Sequence, residues 1–95
     1  MKIAKVVGVT ICTVKDPRLE ACKMLLVSDT DATGKVIGEP YIAQDVVGAG
    51  PDELVVVVQG SSARAAAGDS NKPIDAAIVG ILDSLQFAGE TTFKK

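Results

Sequence analysis

The sequence contains no histidine and no tryptophan, and its only aromatic residues are Tyr41, Phe87 and Phe93. Without histidine, the usual general base, the Ser-His-Asp triad and the commonest zinc ligand are lost together. The run Gly60-Ser61-Ser62-Ala63-Arg64 lacks the G-x-S-x-G spacing of a nucleophile elbow. Turnover would have to rest on Ser61, Ser62, a cysteine or a lysine without a histidine partner, so no catalytic residue is assigned and the chain is read as a non-enzyme. Few aromatics and a formal net charge of −2 also argue against a single-strand nucleic-acid groove, which needs stacking platforms and a basic lining. The one basic run is Lys94-Lys95 at the tail.

Cysteine is scarce too. Cys12 and Cys22 are too few for a disulfide framework or a thiolate metal site, and their apolar surroundings read as small buried hydrophobes in a reducing compartment. They would bridge only if adjacent strands brought them together. Asp29 to Gly34 resembles the start of a calcium loop, but the twelfth position is Pro40 where a bidentate glutamate is required. Gly48-Ala49-Gly50 begins like a dinucleotide fingerprint, yet the third glycine would fall on Glu53 and a strand follows where a helix is needed. No cofactor and no metal are therefore expected. No apolar run approaches the roughly 18 residues of a membrane span. Val6 to Ile11 reads as a strand, because Lys5, Gly8 and Thr10 dilute it and no cleavage site follows. A cytoplasmic protein without a membrane partner is expected.

What is present is apolar, branched and punctuated. Hydrophobic residues make up 47% of the chain and charged residues 23%, which places it among globular rather than disordered sequences. Ninety-five residues are read as one domain, 1–95, with a thin core. Strands are expected over Lys2 to Val14, Met24 to Asp29, Pro40 to Val47, Leu54 to Gln59 and Ala76 to Leu82. Asp16 and Pro17 mark the N-cap and first position of a short turn at Leu19 to Lys23. Asp31-Ala32-Thr33-Gly34 is a turn, and Gly48 to Asp52 is a tight loop in which Gly48 and Gly50 are expected at positive φ. Ala65-Ala66-Ala67 reads as a helical turn capped by Ser61 or Ser62. Gly89-Glu90 reads as a hairpin into Thr91 to Phe93. Short strands at this spacing predict an all-β fold, a small closed barrel with one or two short helical turns.

Leu54 to Val58 carries the most information. Leu54, Val56 and Val58 lie on one strand face and Val55 and Val57 on the other, so both faces are apolar where a half-solvated strand would alternate. The outer face needs a cover, either the chain's own short helix or a neighbouring subunit.

Three segments, in order, carry a resemblance: Lys5-Val6-Val7-Gly8; Asp45 to Gly50 leading through Leu54 to Gln59 into Gly60-Ser61-Ser62-Ala63-Arg64; and Lys72-Pro73-Ile74-Asp75-Ala76-Ala77 to Asp83. The chain resembles, over essentially its whole length, the ethanolamine-utilisation and carboxysome vertex protein family of bacterial microcompartments. The resemblance implies a five-stranded, OB-like barrel and a homopentamer that plugs the five-fold vertices of a shell whose facets are hexameric shell proteins. It implies no cofactor and no reaction. A closed ring needs a heterologous interface. Gly48, Ala49, Gly50, Gly60, Ser61, Ser62, Ala63 and Arg64 are accordingly expected at the subunit interface or axial pore, with Gly60 to Ala63 near the five-fold axis. Arg64 supplies a planar donor fork for a carbonyl or carboxylate. The competing reading is an OB-like module that holds a metabolite or single-stranded nucleic acid.

Overall fold

The computed structural model describes residues 1–13, 15–20 and 22–95. Five strands close into a barrel: β1 (Lys2–Val9), β2 (Met24–Asp29), β3 (Tyr41–Asp45), β4 (Leu54–Gln59) and β5 (Ala76–Ile81), in the order β1-β2-β3-β5-β4 and back to β1. All neighbours are antiparallel except β3 and β5, which run parallel through Gln44↔Ala77 and Asp45↔Ile78. A helix, α1 (Gly60–Ala66), follows β4, and a 3-10 turn occupies Pro17–Leu19. A separate hairpin, β6 (Ser84–Phe87) and β7 (Glu90–Lys94), ends the chain.

Period-two alternation builds the core. Ala4 and Val6 of β1, Leu25 and Val27 of β2, Ala43 of β3, Val55 and Val57 of β4, and Ala76 and Ile78 of β5 all point inward and are buried. A barrel of five strands has a narrow bore, so alanines alternate with the branched residues that fill it. Fully burying a side chain the size of Ile78 contributes about 1.5–3 kcal/mol. The ladder is bent by irregularities between Val6 and Gly8 and between Val56 and Val57, which raise the local twist and help the sheet to close.

The outer face of β4 is covered by the chain itself at both ends. Leu54 is buried beneath the 31–38 turn, where Gly34 (φ +87°) approaches so closely that an added Cβ would lie 3.0 Å from Leu54 Cδ1. At the other end α1 packs on β4 and β5, with Ala63 fully buried. Val56 and Val58 remain half-buried.

Several boundaries differ from the expected ones. β1 stops at Val9, because after the Thr10 N–H···O=C Met24 bond the chain runs out of partner strand. Val14, at the end of the expected first strand, lies outside the described residues, as does Ala21 within the expected turn Leu19 to Lys23. The turn itself sits earlier, at Pro17–Leu19, with Asp16 capping it through the Arg18 N–H. Arg18 also grips the Asp16 carboxylate with its guanidinium, which lowers that carboxyl to about 2. Neither cysteine is a buried hydrophobe: Cys12 is exposed and Cys22 half-buried, and both are free thiols.

Candidate functional site

The residues singled out in the sequence fall into two groups at opposite ends of β4. Gly48, Ala49 and Gly50 precede the strand, whereas Gly60 to Arg64 follow it. Six extended residues separate the groups by about 20 Å. They do not form one contiguous patch within a subunit.

The loop before β4 is built around Asp45. Its carboxylate is almost fully buried, and it accepts the N–H groups of Val47 (3.0 Å), Gly48 (3.0 Å) and Ala49 (2.9 Å). Lys23 Nζ stands 3.6 Å from the same carboxylate and donates to the Ala49 carbonyl at 3.4 Å. These bonds take the chain out of β3 at Asp45, two residues earlier than the apolar pattern extends. Gly48 adopts φ +80°, which a residue with a Cβ resists. Gly50 does not share that conformation; Asp52 (φ +64°) takes the second left-handed position instead. Gly50 donates its N–H to the Glu53 carboxylate, which is also paired with Lys95, and those two partners hold the Glu53 carboxyl below its ordinary range. Beside the loop, Val6, Val9, Leu25, Ala49 and Pro51 line an apolar cleft of about 420 Å³ at one end of the barrel.

At the other end of β4, Gly60 turns the chain into α1 with φ +63° and donates its N–H to the Asp75 carbonyl at 2.9 Å. The capping expectation fails here. Gln59 is the N-cap residue and makes no side-chain bond, and Ser61 and Ser62 lie inside the first turn with exposed side chains. Ala65 and Ala66 are also exposed, so the free surface of α1 consists of small residues. Arg64 is half-buried, and of its five donors one is used, a long 3.4 Å bond from Nη1 to the Ile74 carbonyl.

Ala49 and Ala63 face the interior of their own subunit. Of the eight expected residues, the other six present surface, and only their surfaces can meet a partner.

Three features escaped the sequence reading. Asp45 is one; its signal was an aspartate three residues ahead of a glycine, the spacing of a side chain that organises the next turn. The second is a polar cluster at one mouth of the barrel, where Lys2, Asp29 and Tyr41 share the inward parity of the core residues and Tyr41 packs against that core. Asp29 accepts from Lys2 Nζ at 2.8 Å and from Tyr41 Oη at 2.7 Å, while Lys2 also lies 4.9 Å from the Tyr41 ring centre. Burial raises the Asp29 carboxyl, but the Lys2 and Tyr41 hydrogen bonds together outweigh it, and the net shift is downward. Burial, reinforced by the Asp29 hydrogen bond, pushes the Tyr41 hydroxyl well above its ordinary value. The third is the outward side of β3. There Gln44 is buried with its Oε1 unpartnered within the subunit, beside Met24, Ile74 and Ile42, and Ile42 is 51% exposed.

Known proteins share this chain's sequence pattern and overall fold. Residues 1–83 match the family described as ethanolamine utilisation protein EutN/carboxysome. The carboxysome shell vertex protein CcmL of Synechocystis sp. is 41% identical over 95 residues, covering all of this chain and 95% of its own. The solved CcmL structure of Nostoc sp. superposes with a TM-score of 0.92 at 40% identity, covering 100% of both chains. GrpN, a pentameric microcompartment shell protein from Rhodospirillum rubrum, superposes with a TM-score of 0.84 at 38% identity, covering 93% of this chain and all of its own.

Proposed function

The chain belongs to the EutN/carboxysome family, and on that premise we propose that it is a structural vertex protein of a bacterial microcompartment shell. Five copies form a ring that closes a five-fold corner of the shell, inside the cytoplasm, among hexameric shell proteins, and no reaction is catalysed. The observation that carries this reading is the likeness to shell vertex proteins along the full length of the chain, in sequence and in fold. Relatives named as shell vertex proteins, and one named as pentameric, make a structural role in a ring the simplest one for the same barrel.

The physical need is geometric. A flat layer of six-fold units does not close, and five-fold units at its corners supply the curvature. Each unit of such a ring meets its neighbours through two different patches. The barrel exterior suits this role: Ile37 and Ile42 are uncovered, Val46 and Val47 are partly so, and Gln44 Oε1 holds an unused acceptor on the same side as Ile42. Gly60, Ser61, Ser62 and Arg64 are assigned to the subunit interface or axial pore. Small exposed side chains on α1 allow close approach, and Arg64 keeps donors for a carbonyl across the boundary. Gly48 and Gly50, at the far end of β4, are assigned to the opposite rim of the same interface.

Native mass spectrometry tests the reading. The purified chain is expected at about 49 kDa, five times its 9.8 kDa mass. A strict monomer at micromolar concentration would refute it.

A further inference from the structure

The β6–β7 hairpin has an apolar face that its own subunit covers only in part, with Leu85 and Phe93 half-buried and Phe87 exposed. Leu85 stands opposite Phe93 in the ladder, and Phe87, two residues along β6 from Leu85, shares that face. Two of the three aromatic residues in the chain are therefore on one side of this hairpin. Among the described residues, no strand or helix of the barrel packs extensively against β6 or β7. No residue of either strand is buried, and Phe87 is 60% exposed. Lys95 N–H closes the base of the hairpin by donating to the Asp83 carbonyl, and two side-chain links tie the hairpin to the barrel, Thr92 Oγ1 donating to the Ala32 carbonyl and Lys95 pairing with Glu53. The molecule is 45 Å long against 23 and 21 Å across, which fits an arm leaving a barrel.

An isolated two-stranded hairpin is marginal in water and gains stability by packing its apolar face on something else. We propose that the hairpin is a docking arm, whose Leu85, Phe87 and Phe93 face packs on the next copy of this chain in the ring. The inference rests on the pentameric reading above and adds to it the element that crosses each subunit boundary. A second copy is the occupant favoured by three observations. A rotationally symmetric ring requires each subunit to donate one patch and accept with another, and an arm that leaves its own barrel is a natural donor. Solved structures that superpose over the whole chain, hairpin included, show the arm to be part of the shared fold although it lies beyond the residues matched by the family model. The arm's four- and five-residue strands, about 15 Å long, are comparable with the 21–23 Å cross-section, so the arm reaches a neighbour in contact with its root.

The test uses the full-length chain with Phe87→Ser and Phe87→Trp, read by native mass spectrometry and by fluorescence. Wild type is expected as a pentamer. Phe87→Ser is expected to keep the barrel's far-ultraviolet circular dichroism and to associate about tenfold more weakly at each subunit contact, so that smaller species appear at micromolar concentration. The chain has no native tryptophan, so Phe87→Trp reports one site: its emission shifts to the blue on assembly and returns to the red on dilution into monomers. A Phe87→Ser protein that assembles like wild type, or a pentamer whose Phe87→Trp emission is that of a solvated indole, overturns the arm and leaves the pentamer standing. A monomeric wild type overturns the pentamer itself.

Discussion

Replacing Asp45 by alanine removes the group that shapes the loop ahead of β4. Three backbone N–H groups lose a charged acceptor at once. Val47 and Gly48 are exposed, so water takes over their N–H groups and the loss there is about 0.5 kcal/mol each. Ala49 is 2% exposed, and its N–H has no such substitute. Leaving it unpaired costs about 2 kcal/mol. The sum is about 3 kcal/mol, which for a chain of this size lowers the melting temperature by roughly 12–24 °C. The assay is thermal unfolding by circular dichroism at a fixed subunit concentration, because assembly contributes to apparent stability. Asp45→Asn is the control. It keeps the volume and one carbonyl oxygen but turns an amide toward a backbone donor, so its loss should fall between wild type and Asp45→Ala. A drop below about 4 °C for Asp45→Ala would refute the reasoning, since the loop would then hold its shape without the carboxylate.

Two further predictions concern the surface. Arg64→Ala should weaken the pentamer while leaving the barrel's far-ultraviolet circular dichroism nearly unchanged, because within the subunit Arg64 makes one long bond to the Ile74 carbonyl; an unchanged assembly state in native mass spectrometry would place Arg64 outside the interface. The Asp29 carboxyl titrates below its ordinary 3.8 in the folded state. The stability it supplies is therefore present above that ordinary value and disappears as pH falls through the depressed one. Lys2→Met should remove part of this contribution, so that mutant and wild type differ most near neutrality and converge below pH 3.8. The difference should be no more than about 1 kcal/mol, since the Lys2 side chain is 34% exposed and solvent screens the pair. Denaturant melts at several pH values check this, and a constant difference across them would exclude Asp29 as its source.

The new surface roles divide between the two ends of β4 and the terminal hairpin. If the arm crosses each boundary, the ring is held both by barrel contacts and by five docked hairpins. Loss of one kind of contact then leaves the other in place. Arg64→Ala and Phe87→Ser should accordingly weaken assembly further in combination than either does alone.

Local chemistry made much of this fold legible. Leu54 to Gln59 has the same bounds in sequence and structure, because a run of four valines is bracketed by a turn and a glycine. Asp16 and Pro17 announce their turn through a side-chain acceptor and a fixed φ, and Gly34 and Gly89 announce theirs through positive φ. The two apolar faces of β4 also follow from composition alone, and they required a cover. Which cover was a matter of distance in space: the Gly34 turn lies over Leu54, and α1 lies over the far end. The exit from β3 at Asp45 depends on where one buried carboxylate meets three N–H groups, and propensity carries no record of that meeting. Ala76 to Ile81, which the apolar pattern alone would also tolerate as a helix, becomes a strand because β4 and β3 offer it partners on both edges. A chain without histidine loses the common catalytic routes by composition alone. Only the folded chain separated Gly48 and Gly50 from Gly60 to Arg64, turned Ala49 and Ala63 inward, and left Phe87 largely exposed on the terminal hairpin. Periodicity fixes which residues share a face within one element; which face another element covers depends on contacts between distant parts of the chain.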